Sequence, residues 1–394
     1  MRILSFLNVS NISNLEADSG YVFQRLLLHN LAQKGYEVSL VGPPKMPCLP
    51  EVIQPIFLPF SDSKFGVRMS VEWEKLKLLL THTKPFDIAL INQSELTLAL
   101  KLLFYEVWNK SIPCITYYHY LAIQGISEEG NIKFDPSQNL FGAGQAIWKR
   151  QLESALVSDA NIIGSQFGKR LFLTAAGSQT KDIFMEVIPP PVQDYKQSCI
   201  FSISNSTKNL RQPTLIYNHR LYTHYGGCEI FDYLKELNDK IPFILVVTDP
   251  TDKRSTFRNQ LDPSPTDIRK YLESLPFVKI RHFSTQETYY QALTQVDIGI
   301  SHLRSGALWS MAIVDLMSRG KPVVCFNSGA MPEIVEDNDL LFSNKEDFQH
   351  IIIKLLMDSS FYLEKSKSVA KRANNFLPKS ISDKFHNLFL DVIN

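Results

Sequence analysis

The chain has 394 residues, 44% of them hydrophobic and 21% charged. Globular domains run to ~100–200 residues, so this length suits two domains with proper cores and excludes a chain that is disordered overall. Lys and Arg number 41 against 40 Asp and Glu, a net charge of +1, which excludes nucleic-acid binding through bulk charge.

The N-terminal residues pair one arginine, Arg2, with a short apolar run and no small-residue cleavage site. That pattern predicts a buried strand over residues 3–6 rather than a leader. Further β-branched and aliphatic runs predict strands at 38–41, 88–91, 114–117, 161–163 and 186–188. Between them, Val22, Leu26, Leu27 and Leu31 share the face of a helix over 21–34, stopped by Gly35. Helices are also expected at 70–82 and 147–155. The longest apolar run, 98–107, is interrupted by Lys101 and Glu106 and falls short of the ~18 apolar residues of a membrane span.

Pro189, Pro190 and Pro191, followed by the Ser/Asn/Lys-rich stretch 202–209 and Pro213, mark a change of domain. The second half repeats the scheme. Strands are expected at 214–217, 243–248, 278–282, 298–300 and 322–326, and helices at 229–238, 266–274, 287–294, 311–318 and 348–357. Runs of this kind, buried on both faces and alternating with helices, predict parallel sheets. The expected architecture is α/β, with two Rossmann-like doubly wound domains facing across a cleft. The expected boundaries are 1–195, 196–375 and a C-terminal helix in 376–394 that returns to the first domain.

The five cysteines (48, 114, 199, 228 and 325) are scattered and contain no C-x-x-C pair. This points to a reducing compartment, with the cytoplasm as the expected address. The nine histidines include no H-x-x-x-H pair, so no metal site is expected. A G-x-S-x-G elbow, a phosphate loop of the G-x-x-x-x-G-K-[ST] kind and a G-x-G-x-x-G turn after the first strand are also missing from the sequence.

The most informative stretch is 296–335, which reads strand, loop, helix, Gly-Lys-Pro turn, strand, glycine-containing loop and short helix. Ser310 is placed to cap the helix, leaving the first amides, at Met311 and Ala312, suited to an anion. Asp315 follows one turn later, where a carboxylate can accept hydrogen bonds from ribose hydroxyls. A capped helix with a solvated acid would show the same residues.

This stretch resembles the donor-binding signature of retaining GT-B glycosyltransferases of family 4, E-G-F-G-L-P-x-x-E-A-M-A-x-G-x-P-V-V followed by G-G-x-P-E-I-V. The sequence from Ala307 through Asp315, Gly320 and Pro322 to Val324 carries the first part, and Ser328-Gly329-Ala330-Met331-Pro332-Glu333-Ile334-Val335 the second. The family's first glutamate falls on Ala307 or Gly306, and the second is replaced by Asp315. His302, Arg304 and Ser305 are candidate substitutes for the missing sugar or phosphate contact. The run Leu215-Ile216-Tyr217-Asn218-His219-Arg220-Leu221, then Tyr225-Gly226-Gly227, is similar to the family's G-R-L and K-G elements. It puts Arg220 on the phosphate-binding arginine and Tyr225 on the lysine position. Glu16-Ala17-Asp18-Ser19-Gly20 resembles the glycine loop after the first strand. Tyr117-Tyr118-His119-Tyr120 resembles the family's His-Asp, with Tyr120 in place of the aspartate. Val187-Ile188-Pro189-Pro190-Pro191-Val192 occupies the place of the family's hinge, and 281–284 that of the segment against the nucleobase.

The resemblance implies a metal-independent enzyme moving a sugar from a UDP- or GDP-linked donor to a hydroxyl acceptor with retention. It implies His119 as the catalytic residue. It also implies a donor site of Gly20, Arg220, Trp309, Ser310, Met311, Ala312 and Asp315. The lost glutamate and lysine keep open a weakened homologue acting as a binding or scaffold subunit. A third reading keeps the chemistry but makes the acceptor a hydroxyl-bearing nucleic-acid base, with Lys75, Lys77, Lys149, Arg150, Lys169 and Arg170 as a basic stripe. Those six residues also suit ordinary solvated surface.

Overall fold

The computed structural model describes residues 1–9, 15–16, 18–61, 64–136, 142–195, 211–248, 262–283 and 285–393. The expected linker at 202–209 and Cys199 lie outside these. The chain divides into two compact units: Met1–Pro191 with Pro378–Asn394, and Val192–Leu377.

The first unit is built on β1 (Arg2–Phe6), β2 (Glu37–Gly42), β3 (Ile53–Phe57), β4 (Ile88–Ile91), β5 (Cys114–Tyr118), a hairpin of β6 (Ile123–Ile126) and β7 (Ile132–Phe134), β8 (Ala160–Ile163) and β9 (Met185–Val187). Apart from the hairpin, these strands form one sheet of order β3-β2-β1-β4-β5-β8-β9, parallel throughout, with Ile3 opposite both Val38 and Ile88. Successive strand residues face opposite sides. Ile3, Val38, Ile88 and Ile115 pack with Phe23, Leu27 and Leu31 of the helix Ser19–Gln33. Leu4, Val41 and Ala89 pack on the other side with Leu76 and Leu80 of the helix Trp73–Thr81 and with Leu100 and Phe104 of the helix Thr97–Trp108.

The C-terminal helix Pro378–Ile393 completes the first of these cores with Ile381, Phe385, Leu388 and Phe389. Its outer edge is held where the Tyr36 hydroxyl meets His386 Nδ1 at 2.5 Å, beside a Lys34–Asp383 ion pair.

Several elements differ from the expectation. β3 is an edge strand that pairs only with β2, and Pro55 within it disguises the run, since an edge position tolerates a missing N–H. The helix Thr97–Trp108 lies in the run read only as an interrupted apolar stretch. It buries Leu100, Leu103 and Phe104 and exposes Leu98, Leu102 and Tyr105. The helix Gln166–Ala176 was signalled by Ser165, whose hydroxyl accepts the Gly168 N–H at 3.1 Å. The helix expected from residue 21 begins at Ser19, because Asp18 accepts the N–H groups of Gly20 and Tyr21 at 3.0 and 3.1 Å. Gly20 therefore sits in the first helical turn rather than in a loop. A Cβ there would lie 2.2 Å from the Asn8 carbonyl oxygen, so only glycine lets this helix start against the end of β1.

The second unit contains β10 (Thr214–Tyr217), β11 (Ile244–Thr248), β12 (Val278–Arg281), β13 (Ile298–Ile300), β14 (Val323–Phe326) and β15 (Leu341–Phe342), in the order β12-β11-β10-β13-β14-β15. All pairs are parallel. The order reverses between β10 and β13, and in open parallel sheets the crevice beyond the strand ends at such a point is where ligands bind. Among the described residues no helix is long and apolar enough to cross a membrane. Cys48, Cys114, Cys228 and Cys325 are free thiols.

Candidate functional site

In the second unit, the carboxyl end of β10 delivers Asn218, His219 and Arg220, and that of β13 delivers Ser301 to Arg304. Over them lies the helix Met311–Met317, capped by the Ser310 hydroxyl, which accepts the Ile313 N–H at 3.4 Å. Met311 and Ala312 are half-buried. The helix is seven residues long, two turns, so its dipole is smaller than that of a long helix.

Asn218 ties the strand end to this helix. Its amide donates to the Ala312 carbonyl at 3.1 Å and to the Tyr289 hydroxyl at 2.8 Å, while its Oδ1 is buried with no protein partner. Asp315 is 6% exposed, and its Oδ1 has no protein donor within reach. Burial pushes this carboxyl up to about 6, against a smaller downward pull from Arg319. Arg319, also buried, turns its guanidinium to the Asp315 carbonyl at 2.6 Å and lies over the Tyr290 ring at 4.3 Å. A buried carboxylate lacking donors costs roughly 1–3 kcal/mol or more, and a ligand bearing hydroxyl groups would relieve it.

A second group lies alongside. His219 and His302 are buried and meet edge to face at 4.8 Å, and His302 meets Tyr225 at 4.9 Å. Burial is the main force lowering both imidazoles, His302 to about 4, with a neighbouring histidine as the next cause in each case. Both are therefore neutral at pH 7. His302 Nδ1 accepts the Arg304 N–H at 3.1 Å, which leaves the ring proton on Nε2. Arg304 donates from Nη1 to the Tyr225 hydroxyl at 3.1 Å. Burial lowers its guanidinium to about 10, so it stays charged at neutral pH. Arg220 is exposed and pulls the pKa of the half-buried Tyr225 phenol downward electrostatically, against the larger upward effect of burial. Arg304 thus contacts Tyr225 directly, and the charge of Arg220 also acts on it.

Gly329, at φ +62, closes the far side. A Cβ there would sit 2.7 Å from the Ala307 carbonyl oxygen, which instead accepts the Ala330 N–H at 2.9 Å. Ser305 is exposed. Trp309 stands apart from both groups, edge-on to Phe376 at 5.1 Å with its indole N–H buried and lacking an acceptor. Of residues 281–284, Arg281 and His282 are exposed, Phe283 rests 5.8 Å from Tyr289, and Ser284 lies outside the described residues. Sequence reasoning missed Asn218, Tyr289 and Arg319. Asn218 was signalled by its place directly after a strand, whereas nothing local marked the other two.

In the first unit, His119 follows β5. Its Nε2 meets Asn92 Oδ1 at 3.0 Å, the Asn92 amide reaches Ser5 Oγ at 3.3 Å, and Ser5 donates to Gln24 Oε1 at 2.5 Å. The ring packs on Tyr117 at 4.5 Å and Phe23 at 4.7 Å. Burial lowers its pKa to about 3, so it works as a neutral hydrogen-bonding group. Gly20 lies at the end of β1 in the same unit, and Ala17 lies outside the described residues. Lys75 and Lys77, Lys149 and Arg150, and Lys169 and Arg170 are distributed over three separate helices, with Lys77 paired to Glu106. Among the described residues no three His, Cys, Asp or Glu side chains gather as a metal site.

Residues 221–358 match the family described as Glycosyl transferases group 1. Sucrose-phosphate synthase from Thermosynechococcus elongatus superposes with a TM-score of 0.73 at 15% identity, over 100% of this chain and 99% of that one. HepE of Anabaena, solved with UDP and glucose, gives 0.71 at 15% identity, over 99% of each chain. A glycosyltransferase from Rickettsia africae gives 0.65 at 15% identity, over 100% of this chain and 98% of that one. The chain has the GT-B fold of these proteins, and a third of it, within the second unit, resembles the Glycosyl transferases group 1 family. No curated protein matches it by sequence. The family match begins one residue after Arg220 and takes in the whole run from His302 to Asp315. The first unit, with His119 and Gly20, lies outside that match.

Proposed function

We propose that this protein is a glycosyltransferase that binds a UDP- or GDP-linked sugar on its second unit and passes the sugar, with retention, to a hydroxyl acceptor. The observation that carries the donor site is Asp315, a buried carboxylate with an unsatisfied oxygen at the β10–β13 reversal. Ribose hydroxyls are the natural donors to it. Arg220 supplies fixed N–H groups for the diphosphate. Because the helix behind Ser310 is short, the guanidinium groups of Arg220 and Arg304 carry more of the charge that develops as the anomeric bond breaks. The amides of Met311 and Ala312 add to them. With no carboxylate at Gly306 or Ala307, contacts to the sugar fall to His302 and Arg304. His119, in the first unit, is a neutral hydrogen-bonding group that takes up no proton at pH 7.

The test is thermal stabilisation by a panel of sugar nucleotides, followed by HPLC detection of released UDP or GDP, because a ligand that binds only the folded state raises the melting point. Stabilisation with release supports the proposal. Stabilisation without release in any acceptor mixture replaces it with a binding subunit, a reading the missing carboxylate at Ala307 favours. No stabilisation by any sugar nucleotide overturns both.

A further inference from the structure

The first unit holds a polar cluster that the donor site does not use. After β4 the chain turns through Gln93, Ser94 and Glu95, all at most 2% exposed. The Glu95 carboxylate accepts from Gln93 Nε2 at 2.6 Å, from Ser94 Oγ at 3.3 Å and from the Tyr120 hydroxyl. Its hydrogen-bonding needs are met from inside the protein. The short helix Lys64–Met69 packs on this turn and brings Arg68, 4% exposed, over the Tyr120 ring at 4.0 Å. Among the described residues, two atoms of the cluster remain buried without a protein partner: the Gln93 carbonyl oxygen, Oε1, and a guanidinium nitrogen, Arg68 Nη2. One is an acceptor and the other a charged donor.

From this cluster we infer that Arg68, Gln93 and Tyr120 form a subsite for a hydroxyl group of an uncharged, sugar-like acceptor. The inference rests on the glycosyltransferase reading for the word acceptor. A hydroxyl both donates and accepts, so it suits an acceptor, Gln93 Oε1, and a donor, Arg68 Nη2, on two residues that both lie against Tyr120. A carboxylate or phosphate satisfies only the arginine and places its charge against the Gln93 carbonyl oxygen. The positive charge of Arg68 is offset by Glu95 in the same cluster, so the site offers an anion little net attraction. A hydroxyl is also water-sized and needs only about 30 Å³. The cluster reaches the surface through Tyr120 and His119, which are half-buried. Saturation of Glu95 by three internal donors makes it a positioning residue that fixes the orientation of the Gln93 amide and the Tyr120 ring.

The experiment is saturation-transfer NMR on the full chain with glucose, galactose, mannose and maltose, beside glucuronate and glucose 6-phosphate. UDP binding is measured separately by calorimetry. We expect at least one neutral sugar to bind more tightly than either anionic one. Gln93→Leu, and independently Arg68→Met, should weaken that sugar ~3–10-fold and leave UDP affinity unchanged. Near-UV circular dichroism identifies a variant that fails to fold, in which case the other variant decides. Equal binding of the neutral sugars by wild type and the folded variant overturns the inference, because the two atoms are then met by buried water only. Tighter binding of glucose 6-phosphate or glucuronate overturns it as well. Loss of UDP binding in the wild type overturns the donor-site proposal while leaving the sugar result to stand alone.

Discussion

The two units solve the problem of burying a carboxylate in opposite ways. Asp315, in the second unit, is almost fully buried and has an oxygen that no protein group reaches. Glu95, in the first, is buried as deeply and receives hydrogen bonds from Gln93, Ser94 and Tyr120. Both acids belong to segments that follow a parallel strand of a doubly wound sheet. A satisfied carboxylate is scaffolding for the groups around it, whereas an unsatisfied one has a raised pKa and an unused capacity to accept hydrogen bonds. The same sheet plan therefore yields a prearranged framework in one unit and an incomplete site in the other.

The largest effect should come from the piece of the first unit that arrives last in sequence. Phe385 is fully buried, among Phe23, Tyr117 and Phe389. Phe385→Ala should cost about 3–5 kcal/mol, seen as a lower midpoint in urea unfolding. If the units differ as argued, UDP affinity of the folded variant at low temperature stays at the wild-type value. A parallel loss of affinity would mean that the units cannot be treated separately.

Next is Asp315 itself. Replacing it with alanine removes hydrogen bonds to an ionised acceptor, and UDP-glucose affinity should fall ~10–100-fold by calorimetry. The pH dependence sharpens the point. Burial raises this carboxyl from 3.8 to about 6, so the folded state disfavours the ionised form. The free protein should lose stability as pH rises from about 4 to 6 and regain none of it above. UDP-glucose, whose diphosphate does not titrate here, should bind about tenfold more weakly at pH 5 than at pH 7, since binding needs the ionised form. Asp315→Asn should flatten both curves. A wild-type affinity that does not change between pH 5 and 7 would remove Asp315 from the site.

Much of the parallel architecture was legible because strands buried on both faces read as short aliphatic runs, and β4, β10 and β13 match expectation residue for residue. β3 was hidden by Pro55, and the helix Thr97–Trp108 by apolar residues on its exposed face as well as its buried one. The site was less legible, for a physical reason. Asp315 and Arg220 announce themselves within one segment each, but Asn218, Tyr289 and Arg68 gain meaning only from partners tens of residues away, and Glu95 needs Tyr120 as well as its neighbours Gln93 and Ser94. Gly20 was visible as a glycine. Its reason, the carbonyl of Asn8 at its back, belongs to tertiary structure.

Arg220 offers a smaller test. It is exposed, and charge pairing in contact with water is screened. Arg220→Ala should weaken UDP about tenfold, with folding intact and the loss shrinking at high salt. Arg304, more buried, should show a weaker salt dependence under the same substitution. Identical salt slopes for the two variants would contradict the difference in their surroundings.

The smallest expected effect concerns His119, and here the prediction is of something missing. An unperturbed histidine titrates near 6.5, and a histidine acting as a general base would give turnover an inflection in that region. Burial against Tyr117 and Phe23 instead lowers this imidazole to about 3, while its contact with Asn92 engages Nε2. Neutral over the whole working range, His119 should add no inflection between pH 5 and 8. In Asp315→Asn, which removes the titration near 6, turnover at saturating UDP-glucose should be flat across that interval. An inflection near 6.5 that survives in Asp315→Asn and disappears in His119→Gln would show that the imidazole does take up a proton. The first unit would then hold a titrating site as the second does, and the contrast between a prearranged framework and an incomplete site would fail at His119.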